Sequence, residues 1–295
     1  TFDRMSKREA LSLKRELAKL SQAMGDYAGG LAREGYFPCV HTCAVFIYRR
    51  ALDQLSMSIA YPNMPVRLFG FLPGITTPGG ATHQATDDIA ILRALPNMTI
   101  LETGDATDVE SVLDVAHAVN GPVYVRMLRG EIPRLFDRND PMRLGKARVL
   151  SRGSDIALIS AGICTAEAMR ATRALREHGV SIEHLHITTH KPFTDPAVLE
   201  AVAKARYGVI TMENHTIVGG LGSAVAELMA EAGLGKRLVR IGLKDTYVHG
   251  ASRSYLMREY GLDAIALVAE VEKLVGQRLG ITDADLAAVR LEAVH

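Results

Sequence analysis

The chain has 295 residues, 48% of them hydrophobic and 23% charged, which sets aside both a lone small module and a disordered chain. Lys plus Arg (34) nearly cancels Asp plus Glu (33), so no net field draws the chain to nucleic acid or to an anionic membrane, and any anion binding is local. Three cysteines without a C-x-x-C pair, a charged start where a secretion signal needs an apolar core, and no run of about 18 apolar residues point to a reducing, cytoplasmic setting.

From residue 36 on, short apolar runs rich in β-branched residues alternate with segments of helical period. That alternation predicts an α/β protein of two tandem open, mostly parallel sheets with helices on both faces. In the first half, strands are expected at Phe37–Cys43, Pro65–Phe71, Met98–Glu102 and Pro122–Leu128. Helices are expected between them at Val45–Tyr61, Asp87–Leu95 and Thr107–Val119, the last two opened by capping residues. Around Arg134–Lys146 the periodicity lapses into charges, Pro and Gly, as a linker between domains 1–140 and 147–295 would. The second half predicts strands at Asp155–Ser160, Ser181–His186, Gly208–Met212 and Arg237–Ile241. Its helices are expected at Thr165–His178, Asp195–Ala205, Gly219–Ala232, Ser252–Tyr260 and Asp263–Leu274.

Open parallel sheets place ligands outside the carboxyl ends of their strands, so the loops after strands carry the candidates. After Pro65–Phe71, the stretch Leu72–Gln84 (L-P-G-I-T-T-P-G-G-A-T-H-Q) brings His83 and Gln84 to such an end, with glycines that let the backbone approach a ligand. Arg129 closes the run G-P-V-Y-V-R-M-L-R, where a guanidinium can clamp a carboxylate or phosphate; pairing with a surface acid is the plainer alternative. Phe46, Arg49, Arg50 and Asp53 cluster in the first turns of a helix, as a buried ion pair or as a ring-stacking site. The G-x-G of Gly220 and Gly222 stands too far from its strand, with Val225 at the next required small position, so packing glycines explain it better than a dinucleotide. His184, His186 and His190 have no carboxylate at ligand spacing, and no metal site is assigned.

Several long stretches together resemble one family. They are G-L-A-R-E-G (30–35), A-V-F-I-Y-R-R-A-L-D-Q (44–54), G-G-A-T-H-Q-A-T-D-D-I-A-I-L-R-A-L-P-N-M-T (79–99), G-P-V-Y-V-R (121–126), E-N-H-T-I-V-G-G-L-G-S-A-V-A-E (213–227) and R-I-G-L-K-D-T (240–246). From about Gly29 on, the chain resembles the C-terminal half of transketolase, a pyrimidine-binding domain followed by a C-terminal domain, like the small subunit of split, two-gene transketolases. The resemblance implies thiamine diphosphate bound between chains, its diphosphate and Mg²⁺ held by a partner subunit with a G-D-G signature that this sequence lacks. It implies a heterotetramer of two such pairs and transfer of a two-carbon ketol unit from a ketose to an aldehyde. On this reading Phe46 stacks on the pyrimidine and Arg49 lines its pocket. His83 binds or protonates substrate oxygens, Gln84 binds substrate beside it, and Arg129 holds the acceptor's distal anion.

Three positions depart from the family pattern. The Glu that drives the pyrimidine proton relay aligns with Ser21 (L-S-Q-A-M, 20–24), and the strand and acidic loop expected after M-S-K-R-E-A have no counterpart. In the substrate channel, Phe71 stands for a His and Gly79 for an acid, which removes hydrogen bonds to substrate hydroxyls. These departures keep two alternatives open, a non-catalytic structural subunit and a carboligase acting on a less hydroxylated carbonyl compound.

Overall fold

The computed structural model describes residues 7–291, with side chains from residue 19 onward. Among the described residues two five-stranded sheets form. In the first, β1 (Cys39–Cys43), β2 (Arg67–Phe71), β3 (Thr99–Glu102) and β4 (Val123–Met127) pair in parallel in the order β1-β2-β4-β3. Successive side chains of a strand point to opposite faces, and both faces here are covered. Leu68, Ile100 and Tyr124 pack towards α1 (Lys7–Arg33) and α2 (Ala44–Gln54); Phe69, Leu101, Val123 and Val125 pack with Val112 and Ala116 of α4 (Ala106–Ala118). Between β2 and β3, the short α3 (Asp88–Arg93) buries Ile89 and Leu92 against the α2 side.

The second sheet contains β5 (Arg148–Ser151), β6 (Ile156–Ala161), β7 (Ile182–Ile187), β9 (Gly208–Thr216) and β10 (Leu238–Leu243), in the order β10-β9-β6-β7-β5. Only β5 runs antiparallel. Helices α5 (Cys164–Glu177) and α9 (Ala264–Val275) cover the face of Ile156 and Leu158; α6 (Pro196–Lys204) and α7 (Leu221–Glu231) cover the face of Ala157 and Ile159. Two short helices, α8 (Arg253–Glu259) and α10 (Asp283–Ala288), complete this part.

Most expected elements form, with ends displaced by a residue or two. Four features have no counterpart in the expectation: α1, β5, α10 and the three-residue β8 (Thr189–Lys191). β8 leaves the second half and adds antiparallel to β3, which would otherwise be the edge of the first sheet. The helix expected over Val45–Tyr61 is α2 followed by a π-helical turn, Leu55–Ala60, after Ala51 leaves helical geometry at φ −126°. Ser56 donates its hydroxyl to the Leu52 carbonyl there, a local bond that competes with the helical ladder. α1 crosses this bulge closely: a Cβ on Gly29 would lie 2.6 Å from the Ser58 carbonyl oxygen. No helix among the described residues is long and apolar enough to cross a membrane.

Candidate functional site

The carboxyl ends of β1 and β2 bring three of the expected residues together. Phe46, in the first turn of α2, meets the His83 ring edge-on at a centroid separation of 5.4 Å, and the Arg50 guanidinium lies 4.0 Å over the Phe46 ring. Arg49 reaches the same loop, donating to the Ala81 carbonyl (3.2 Å) and to Asp87 (2.7 Å). Tyr48 donates to the same Asp87 carboxylate, and burial together with Asp88 and Asp87 holds its phenol protonated, well above the usual range. His83 is exposed, and its Nδ1 pairs with the Thr82 hydroxyl at 2.9 Å. The site is therefore an aromatic ring and an imidazole flanked by one guanidinium that is anchored and one that is not. A side chain at Gly79 would crowd the His83 Cβ at 2.9 Å, so this loop shape depends on that glycine.

Gln84 departs from its expected place on the substrate channel. It is 1% exposed, and its amide donates to the Thr77 and His249 carbonyls, which fastens the loop to the second half of the chain. Phe71 ends β2, half-buried, with its ring edge-on to His41 at 6.2 Å. Arg129 follows β4 and is exposed on the wall of a different opening, a cleft of about 370 Å³ between the two halves of the chain, floored by Leu128 and Ile163.

What holds the His83 loop is a set of residues that no motif had singled out for chemistry. Asn214, near the end of β9, accepts from the Ile75 amide (2.9 Å) and donates to the Pro73 carbonyl (3.1 Å). Gly74 lies between them at φ +57°, where a Cβ would fall on the Asn214 amide. Beneath the loop, Arg126 of β4 is wholly buried and bridges two acids: its Nε donates to Asp88 (2.9 Å) and its Nη1 to Glu102. Its Nη2 donates to the Ala85 and Asn214 carbonyls (3.2 and 3.0 Å), tying the loop to β9. Burial alone would raise the Glu102 carboxyl, but Arg126 and His190 overcome it and hold it at about 2. Glu213 shows the opposite balance, pushed up to about 8 by burial although the Leu221 and Gly222 amides donate to it. His215, buried beside Asp88 and Arg126, is held down at about 4 by burial.

Two of the three histidines His184, His186 and His190 do meet carboxylates, contrary to what their spacing in sequence suggests. The acids come from the first half: His186 pairs with Asp108 at 3.0 Å and His190 with Glu102 at 2.7 Å, while His184 pairs with the Ser160 hydroxyl at 2.8 Å. Among the described residues no group of three or more His, Cys, Asp or Glu side chains is arranged to hold a metal ion.

Comparison with known proteins gives this geometry its family. The model of the transketolase pyrimidine-binding domain matches residues 21–134, and that of the transketolase C-terminal domain matches residues 145–267. A putative uncharacterized transketolase family protein of Sinorhizobium fredii is 38% identical over 83% of this chain and 72% of its own length. The chain belongs to the transketolase family. Among its family relatives, a 6-deoxy-6-sulfo-D-fructose transketolase subunit of Clostridium is 36% identical over 85% of this chain and 78% of its own. A solved split-gene transketolase, described as an inactive beta4 tetramer, superposes with a TM-score of 0.79 at 34% identity, covering 87% of this chain and 82% of that one.

Proposed function

We propose that this chain is the pyrimidine-binding subunit of a thiamine-diphosphate-dependent transferase of the transketolase type, moving a two-carbon ketol unit from a ketose-type donor to an aldehyde in the cytoplasm. The observation that carries the reading is the convergence of Phe46, Arg49 and His83 at the carboxyl ends of the first sheet. The proposed domains are 1–140 and 147–295. A second polypeptide would supply the diphosphate and Mg²⁺ site, in a dimer of heterodimers. The description of the Clostridium relative as a subunit, and of the solved neighbour as an inactive tetramer of beta chains, supports a need for that partner.

The residues present fit the pyrimidine end of the cofactor. The planar Arg50 guanidinium over Phe46 occupies the kind of place that a flat heteroaromatic ring takes. Phe46 would stack on that ring and Arg49, anchored by Asp87 and the Ala81 carbonyl, would line its pocket. Thiamine diphosphate, when bound, supplies the electron sink that lets a bond next to a carbonyl break. His83, with Nδ1 on Thr82, would hold a substrate oxygen or move a proton to it through its other nitrogen. Phe71 would present an apolar wall in the channel, and Arg129 would hold the acceptor's distal anion.

Ser21 on α1 favours a second reading, a subunit that assembles without catalysing, because a hydroxyl does not replace a carboxylate as the pyrimidine's proton partner. Phe71 and Gly79 favour a third, a carboligase for less hydroxylated carbonyl compounds. The test combines the chain with a G-D-G-bearing subunit, thiamine diphosphate and Mg²⁺, and follows turnover of xylulose 5-phosphate with ribose 5-phosphate, then of simple α-keto acids and hydroxyketones. Turnover of the sugar phosphates upholds the leading reading. A complex without turnover upholds the structural one, turnover of the simpler compounds alone upholds the carboligase, and absence of any complex overturns all three.

A further inference from the structure

In the second half of the chain, a cavity of about 250 Å³ opens between α5 and the β7–β5 edge of the sheet. Its lining includes two buried polar groups that the fold leaves unused. His184 of β7 is wholly buried, and its Nδ1 has no hydrogen-bond partner among the described residues; neither has the hydroxyl of Thr172 on α5, a residue only 6% exposed. Each such orphan costs roughly 1–3 kcal/mol, so two of them on one cavity point to a ligand rather than to packing.

The hydrogen bonds behind His184 fix what it offers. Burial alone would raise the Asp108 carboxyl, but His186, Arg148 and the Gly104 amide hold it below the usual range. A carboxylate only accepts, so His186 gives it the Nε2 proton at 3.0 Å. With a neutral His186 ring, each earlier bond has one direction: Thr165 donates to His186 Nδ1 (2.8 Å), Ser160 to Thr165 (2.9 Å) and His184 Nε2 to Ser160 (2.8 Å). His184 Nδ1 is left as a lone pair. Burial, with His186 beside it, pushes His184 down to about 3, so the ring is neutral and Nδ1 accepts. On α5, Thr172 and Arg176 stand four residues apart on one helix face, and Arg176 is exposed, with no carboxylate partner among the described residues. Leu150, Met169 and Leu291 pack together as the apolar side of the cavity.

We propose that this cavity binds a small zwitterion, an α-amino acid with an aliphatic side chain. Its ammonium donates to His184 Nδ1, its carboxylate accepts from the Thr172 hydroxyl and the Arg176 guanidinium, and its side chain covers Leu150, Met169 and Leu291. A cavity just under the roughly 300 Å³ at which drug-sized sites begin suits a molecule of amino-acid size rather than a nucleotide. The site stands apart from the transferase reading and does not depend on it.

The full chain is titrated by calorimetry with L-valine, L-leucine and L-isoleucine, and with two leucine analogues: 4-methylpentanoate, which lacks the ammonium, and isoamylamine, which lacks the carboxylate. Saturable binding of leucine is expected, with both analogues weaker by about tenfold or more, near 1.4 kcal/mol. Thr172→Val should weaken leucine about tenfold while the thermal melt stays level or rises, because no partner of the hydroxyl is lost. Arg176→Gln should weaken leucine as much at an unchanged melt, and nitrogen NMR should show the His184 Nδ1 signal moving upfield as leucine saturates. Absence of saturable heat with all three amino acids up to about 10 mM overturns the site. Equal affinity for 4-methylpentanoate overturns the zwitterion, and leucine affinity unchanged in Thr172→Val overturns its placement in this cavity.

Discussion

Replacing Arg126 by Met would test how the two halves of the chain jointly support the His83 loop. The substitution keeps an unbranched apolar stem and removes the guanidinium with its charge, leaving Asp88, Glu102 and the Ala85 and Asn214 carbonyls without their shared donor. Breaking a buried ion pair by removing one partner costs about 3–5 kcal/mol, because the remaining charge stays desolvated. The shift of Glu102 from 4.5 to about 2, the net of burial against Arg126 and His190, is of the same order, roughly 3 kcal/mol in favour of the ionised form. Arg126→Met should therefore unfold at lower urea concentration by the equivalent of about 3–5 kcal/mol at pH 7, followed by far-UV circular dichroism because the chain has no tryptophan. The sign with pH is definite. In the wild type, the stabilisation through Glu102 is present above the unfolded value of 4.5 and is lost as pH falls towards 2; in the variant, Glu102 takes up a proton and is relieved. The difference between the two proteins should shrink between pH 7 and pH 4, and Glu102→Gln added to Arg126→Met should recover part of the loss. A loss under about 1 kcal/mol at pH 7, or one that does not change with pH, would refute the reasoning.

Gly74→Ala places a Cβ on the Asn214 amide at a left-handed φ, and should cost about 1–3 kcal/mol in a thermal melt while lowering turnover through the displaced His83 loop; an unchanged melt would show that the loop is not held there. Ser21→Glu should raise turnover of the reconstituted complex by about a hundredfold, the usual size of a placed acid–base group, and no gain would argue against Ser21 as the relay position. His215, held at about 4 against 6.5 when unfolded, contributes about 3 kcal/mol that is present above pH 6.5 and lost as pH falls through 4. Chemical denaturation at pH 7 and pH 4.5 should show proton uptake on unfolding in that window, and equal uptake in His215→Gln would reject the assignment.

The parallel sheets and their covering helices were legible in the sequence, because a strand buried on both faces must be apolar throughout and a covering helix must be apolar on one side. Gly79 to Gln84 was legible as a candidate site for a related reason, since glycines and a histidine at a strand's carboxyl end have few structural duties there. Gln84 and His83 are sequence neighbours with opposite fates, one buried in loop bonds and one exposed, and nothing in T-H-Q separates them. β8 escaped notice because three residues carry no period, and its partner β3 lies some ninety residues earlier.

The sequence by itself determined the element order, the family resemblance and the candidates Phe46, Arg49, His83 and Arg129. Tertiary structure decided which charges meet. Arg126 lies within a strand, Asp88 at a helix start, and Glu102, His190 and His215 on three further strands, so no local pattern links them. Their coupling arises only when both halves pack and exclude water, which strengthens each interaction and makes every missing partner costly.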